Sequence, residues 1–298
     1  MKKLITALLT TMLFVGNAYA GTLEDANKAD NEFYLIIKLL ALKGDADAQY
    51  NLGNAYKNGR GVAQDYAEAV KWYKLAAVQG VVRAQTNLGR AYINGQGVVR
   101  DATEAVKWYM LAAEQGDANA QYDLGVIYGS GQGVAQDYAE TVKWWKLAAV
   151  QGNAYAQYNL GVMYVKGQGV VQNYTETVKW WRLAAVQGNA IAQYDLGTMY
   201  DNGQGVVQDY TEAAKWYKLA ATQGVAEAQH RLGVAYGLGR GLRKNDVVAH
   251  MWINLAAAQG NAKAIENRAL VEKSMTAQQI AEAQKLAREC LARNYKKC

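Results

Sequence analysis

The chain predicts an all-α superhelix (solenoid) of stacked helix-turn-helix repeats with helical caps, and three observations carry that reading. The segment Ala48-Gln49-Tyr50-Asn51-Leu52-Gly53 returns at a spacing of 36 residues. It reappears as Ala120-Gln121-Tyr122, Ala156-Gln157-Tyr158 and Ala192-Gln193-Tyr194, with looser copies at Ala84-Gln85-Thr86 and Ala228-Gln229-His230. A fixed period of roughly 20–50 residues marks an array in which each unit packs only on its neighbours. Proline is absent from all 298 residues, so helices run unbroken and the turns fall to Gly, Asn and Asp. Within each unit, apolar residues recur at helical spacing in two successive runs.

The N-terminus reads as a sorting signal. Lys2 and Lys3 precede a mostly apolar run, Leu4 to Val15, and Ala18-Tyr19-Ala20 forms an A-x-A cleavage site. The run is too short to span a bilayer comfortably. Residues 1–20 are therefore expected to be a signal peptide, and the mature chain to be exported, periplasmic or secreted, without a transmembrane span; an uncleaved anchor is the alternative. Residues 21–43 hold one helical pattern, Phe33 to Leu42, expected to cap the array.

In the first unit, helix A is expected from about Asp47 to Lys57, with Ala48, Leu52, Ala55 and Tyr56 inward. Gly53 sits inside it at a cost of about 1 kcal/mol. Its return as Gly89, Gly125, Gly161, Gly197 and Gly233 points to close approach by another helix. Gly59-Arg60-Gly61-Val62 reads as a reversal. A phosphate loop is rejected, because the G-x-G recurs six times, follows a helix and lacks the Lys-Ser/Thr pair. Helix B starts near Asp65, which with Glu68 suggests a capping box. Its expected core stripe is Tyr66, Ala69, Trp72, Tyr73, Ala76 and Ala77, and Gly80 ends it. Asp45, Asn153 and Asn189 are placed to cap helices A. Pairs such as Glu68–Lys71 and Glu140–Lys143 mark a solvated outer face, each contributing a few tenths of a kcal/mol at most.

The full pattern, A-x-A-Q-Y-x-L-G-x-x-Y-x-x-G-x-G-V-x-x-D-Y-x-x-A-x-x-W-Y-x-x-A-A-x-Q-G, resembles the Sel-one-like repeat family (SLR), a relative of the tetratricopeptide repeat with a longer turn. The likeness covers residues 44–260 in six copies. It implies a right-handed α/α superhelix of about fourteen helices that binds partner proteins or scaffolds complexes, with helix A lining the concave face. Exported relatives include host-interaction factors and cysteine-rich members linked to penicillin binding. Residues from Glu266 through Gln278 onward resemble the closing helix, within a cap and tail spanning 261–298. Ile280, Leu286 and Ala287 are expected to pack over the last repeat. That repeat departs from the pattern with Asn245-Asp246, Val248, Met251 and Ile253.

Charge and chemistry narrow the function. The formal charge of +6 falls to +4 once Lys2 and Lys3 are removed, and acids alternate with bases through the repeats. A nucleic-acid surface needs a clustered basic footprint that this pattern lacks. Cys290 and Cys298 are expected to form a disulfide. Export favours one, and so short a loop contributes roughly 2–3 kcal/mol. Free thiols and a metal clip are the alternatives, the latter disfavoured by the lack of nearby His. The two serines, Ser130 and Ser274, are not in S-x-x-K motifs. His230 stands where the repeat has Tyr, and His250 lies on a helix B; both read as structural. No H-E-x-x-H or C-x-x-C occurs. A cell-wall or β-lactam hydrolase is the alternative reading, weakened by the absence of cysteine within the array. No enzyme activity, cofactor or metal is expected.

What remains is a surface. The second stripe of helix A varies between copies while core positions hardly change. Asp47 becomes Arg83, Asn119, Tyr155, Ile191 and Glu227, and Asn54 becomes Arg90, Val126, Val162, Thr198 and Val234. Apolar choices gather centrally at Val126, Tyr155, Val162, Val165 and Ile191. Asn87, Asp123, Asn159 and Asp195 stand alongside, able to hold an extended backbone. An apolar patch rimmed by polar groups marks a contact site; drift on a wet surface is the alternative. The expected partner is a protein or peptide, and the chain is expected to be a monomer.

Overall fold

The computed structural model describes residues 23–296 and Cys298; the expected signal peptide lies outside the described residues. Among these there are fifteen α-helices and no strand. They form two compact units, one ending at Gln115 and the other starting at Gly116. The first holds α1 (Leu23–Leu42), α2 (Ala46–Asn58), α3 (Tyr66–Val78), α4 (Val82–Asn94) and α5 (Ala102–Glu114). The second holds α6 (Ala118–Ser130), α7 (Tyr138–Val150), α8 (Ala154–Lys166), α9 (Tyr174–Val186), α10 (Ala190–Asn202), α11 (Tyr210–Ala221), α12 (Ala226–Leu238), α13 (Asp246–Ala258), α14 (Ala262–Glu272) and α15 (Ala277–Ala292). From α2 to α13 the helices alternate A, B, and the all-α solenoid class read from the sequence is the one observed.

The ends of these helices follow from their flanking residues. Asp45 accepts the Ala48 N–H at 2.9 Å, and Asp65 accepts those of Ala67 and Glu68 at 2.8 and 3.0 Å, satisfying donors that a helix start leaves orphaned. The reciprocal half of the expected capping box is missing, because Glu68 turns outward to Lys71 instead. Gly59 closes α2 with φ +69°, donating its N–H to Ala55. Two residues on, Gly61 takes φ +71°, and a Cβ there would lie 2.3 Å from the Asp30 carbonyl on α1. Both glycines of the reversal are thus required, one by conformation and the other also by space.

Glycine inside helix A makes a notch. A Cβ on Gly53 would meet the Tyr73 ring at 2.6 Å, and one on Gly161 would meet the Trp181 ring at 2.4 Å. The second aromatic of helix B lies flat across helix A of its own repeat. The first tryptophan packs the other way: Trp108 covers the core formed by α3 and α4, and Trp216 the core of Val178, Trp181 and Leu196. Tyr66, expected in the core stripe, is instead 37% exposed, since as the first helical residue it lies outside the packed turn and meets the Gln64 amide.

Glutamine supplies the joints. Gln157 is buried, donates to the Ala149 carbonyl at 3.0 Å across the repeat boundary, and accepts from Gln187 at 2.7 Å. Gln193 repeats this with Ala185 and Gln223, and Gln229 with Ala221 and Gln259. In the first unit Gln49 does so with Ala41 and Gln79.

The C-terminal cap differs from the single closing helix expected. The chain breaks after α14, because Thr276 opens α15 with a true capping box to Gln279. Leu286, Ala287 and Cys290 pack on Met251, Trp252 and Leu255 of α13. Ile280 is only half-buried and lies outside that core; Ala283 takes the buried position. Cys290 and Cys298 are bonded, with 5.4 Å between their Cα atoms.

Candidate protein-binding face

In the second unit, helices A present a continuous run of aromatic and amide groups. The Tyr122 ring stacks on Trp145 at 6.4 Å between centroids and meets Tyr155, from the next helix A, at 6.1 Å. Tyr158 stacks likewise on Trp181 at 6.0 Å. Trp145 and Trp181 donate their indole N–H groups to the carbonyls of Tyr122 and Tyr158, at 3.1 and 3.0 Å. The backbone of helix A is therefore pinned beneath the exposed stripe.

Tyr155 is the most exposed of the expected apolar contact residues at 67%, followed by Ile191 at 47% and Val126 at 41%. All three project from helices whose opposite faces are fully buried at Leu124, Leu160 and Leu196. Val162 and Val165 differ from expectation. They are half-buried and pack against the core of Val178, Trp181 and Leu196, because their aliphatic arms lie beside Tyr158 and reach the packed interior. Asn87 and Arg90 belong to the first unit, where Asn87 hydrogen-bonds the Tyr73 hydroxyl and Arg90 is exposed.

The expected polar rim is largely engaged within the fold. Asn159 hydrogen-bonds the Tyr122 hydroxyl. Asp195 accepts the Tyr158 hydroxyl at 3.1 Å. Asp123 is half-buried. Burial pushes the Asp195 carboxyl up to about 6, against the opposing pull of the Tyr158 bond. Burial and the neighbouring Asp195 in turn raise the Tyr158 hydroxyl. At the end of the array His230 replaces this tyrosine and accepts from the Asn267 amide at 2.8 Å. Burial, then Arg231 and Lys263, lower its pKa. These two links, one from a tyrosine to a carboxylate and one from an amide to a histidine, join positions 37 residues apart. Sequence reasoning placed Asn159 and Asp195 on this face but missed their partners.

The Ser130 hydroxyl donates to Ile127 and that of Ser274 to Val271, each within its own helix end. His250 is fully buried against Glu272 at 2.8 Å. A cavity of about 40 Å³ is lined by Arg231, Asp201 and Tyr217, whose hydroxyl donates to Asp201 at 3.3 Å, and one of about 220 Å³ lies beside Trp252 and the disulfide; neither is lined by a serine, a histidine or a free cysteine. No cluster of three metal-ligating side chains occurs among the described residues, and none of the helices described is long and apolar enough to cross a membrane.

Comparison with known proteins agrees with this architecture. The Sel1 repeat family model matches residues 46–81, 82–117, 118–153, 154–189, 190–225 and 226–261. A Sel1 repeat protein from Oxalobacter formigenes is 36% identical over 72% of this chain and 88% of its own, with a TM-score of 0.63. A protective antigen of uropathogenic Escherichia coli strains, displaying an SLR fold, is 28% identical over 88% of this chain and 80% of its own, with a TM-score of 0.50. No curated protein matches the chain. Six matched repeats, joined by the same glutamines and notched by the same glycines, make this chain a member of the Sel1 repeat family.

Proposed function

We propose that the chain is an exported, non-enzymatic scaffold that binds a protein or peptide through the helix A face of its second unit, with Tyr155 as the anchor. The exposure of Tyr155 carries this reading. A 67% exposed tyrosine, resting on Tyr122 above a pinned helix, is a rigid aromatic with one free face, and such residues dominate contact energies. Ile191 and Val126 extend the apolar ground around it. Copies of the repeat place Asp47, Arg83, Asn119 and Glu227 at the same position, so packing does not dictate the tyrosine. The A-x-A segment ending at Ala20 and the Cys290–Cys298 bond support a destination outside the cytoplasm.

The test is a pull-down with the tagged chain, followed by affinity measurement on the captured partner. Tyr155→Ala should weaken binding by about tenfold or more, as loss of a buried apolar contact implies, and leave the melting temperature unchanged. Trp144→Ala is the control. Trp144 is 6% exposed, and its loss should cost about 3–5 kcal/mol of stability. A Tyr155→Ala protein that melts early and binds normally would mean the two faces of helix A are assigned backwards.

A further inference from the structure

One position on the outer face of helix B separates the two ends of the array from the five repeats between them. It is lysine in five successive repeats, Lys71, Lys107, Lys143, Lys179 and Lys215, each paired with a glutamate three residues earlier. It turns apolar twice. In α13 it is Met251, which is 5% exposed because α15 lies over it, with Leu255 one turn on at 4%. In α1 the equivalent residue is Leu35, and there it is 63% exposed. Leu39 and Leu42 continue the stripe at 57% and 67%, as Leu75 and Val78 do in the first repeat, and exposed Ile36 stands beside them where the repeats have tryptophan. The opposite side of α1 is satisfied, since Ile37 and Ala41 are 2% exposed against α2. A terminal cap ordinarily turns a polar face outward; the repeats interrupt this stripe with a paired lysine, and α1 alone runs it unbroken through an exposed Leu35.

The fold itself shows what such a face takes, because where lysine gives way to Met251 the chain lays a helix across it. The stripe on α1 is also self-complementary. Residues 35, 36, 39 and 42 follow the three-four spacing of a two-helix seam. Exposed Glu32 stands at its start and exposed Lys43 just past its end, and neither makes an ion pair among the described residues. Lys38 leans aside over the Tyr34 ring at 5.3 Å. An antiparallel two-fold pairing sets Leu35 against Leu42 of the other copy and brings each Glu32 beside the other copy's Lys43. Self-pairing of this kind is the geometry of an isologous dimer. From this we propose that α1 is a dimerisation helix and that the occupant of its outer face is α1 of a second copy, in place of the monomer expected from sequence.

Sedimentation equilibrium of the chain over a range of concentrations tests this. The chain should sediment as a monomer–dimer equilibrium. Leu39→Glu should raise the dimer Kd by about a hundredfold or more, since it removes two leucines from one seam. At concentrations where both are monomeric its helix content and melting temperature should match the wild type, Leu39 being exposed. Glu32→Lys should weaken the dimer, and Glu32→Lys combined with Lys43→Glu should restore it, a reversal that general stickiness would not give. A chain that stays monomeric at every concentration, or a dimer indifferent to Leu39→Glu, overturns the proposal. So does a monomer that binds vesicles of phosphatidylcholine and phosphatidylglycerol through the same leucines, which would make lipid the occupant.

Discussion

The Asp195 carboxyl sits where charge is disfavoured, and that has a measurable sign. Its folded pKa of about 6 lies above the ordinary carboxylate value of about 3.9. The folded chain therefore holds this proton more tightly than the unfolded chain does. On this group's account stability is full below about pH 4 and is lost as the pH rises through about 6. Asp195→Asn keeps an acceptor for the Tyr158 hydroxyl and cannot ionise. It should unfold like the wild type at pH 3.5 and be more stable by about 1–2 kcal/mol at pH 7.5. Thermal melts at both pH values check this, and equal stability at pH 7.5 would refute it. The partnership with Tyr158 was not legible in the sequence, because Asp195 and Tyr158 meet only through stacking of successive repeats. Gln157 was hidden for a related reason. A polar residue at a fixed place in a consensus gives no hint that it is buried, and its partners lie 8 and 30 residues away on other helices.

Helix A and helix B of one repeat are fitted by subtraction: glycine leaves the space that an aromatic fills. The recurrence of Gly53 and its copies made this close approach legible before any coordinates, since an unrewarded helical glycine is costly. The identity of the intruding ring was not legible. Gly161→Ala should destabilise the fold by about 1–3 kcal/mol through overpacking against Trp181. In a Trp181→Ala background the same change should become stabilising by up to about 1 kcal/mol, because only the helix preference of alanine remains. Chemical denaturation of the four proteins of this cycle gives the coupling. A destabilisation that persists without the indole would show that the backbone, and not the ring, sets the clash. The break between α14 and α15 was missed because Lys273-Ser274-Met275 contains neither Gly nor Pro; only the Thr276–Gln279 box marks it.

In the second unit, removing residues 154–189 should leave a shorter folded chain, because the contacts that join one repeat to the next have substitutes. Ala190 would follow Asn153, and Gln193 would find the Ala149 carbonyl where Gln157 had been. Trp145 would keep its notch at Gly125. Removing only residues 154–171 deletes α8, leaving Trp181 without Gly161 and α7 facing α9. Circular dichroism and cooperative melting should separate the two deletions, with the 36-residue loss retaining both. Collapse of both would mean the repeats are not interchangeable. The repeat period made the all-α solenoid class readable from sequence alone. The surface was read less well: of the central apolar residues, Val126, Tyr155 and Ile191 are open, whereas Val162 and Val165 serve the core. Periodicity says which residues share a stripe, and only packing says how far each reaches inward.

The glutamine joint carries a consequence for inheritance. Because the same amide bridges one repeat to the next, a misaligned crossover between two copies of the coding segment yields a protein whose new junction has all its hydrogen bonds in place. Such errors are silent to folding and change only reach and the order of the variable residues on helix A. Alleles of this gene should therefore differ in length by whole repeats, with insertions of other sizes purged.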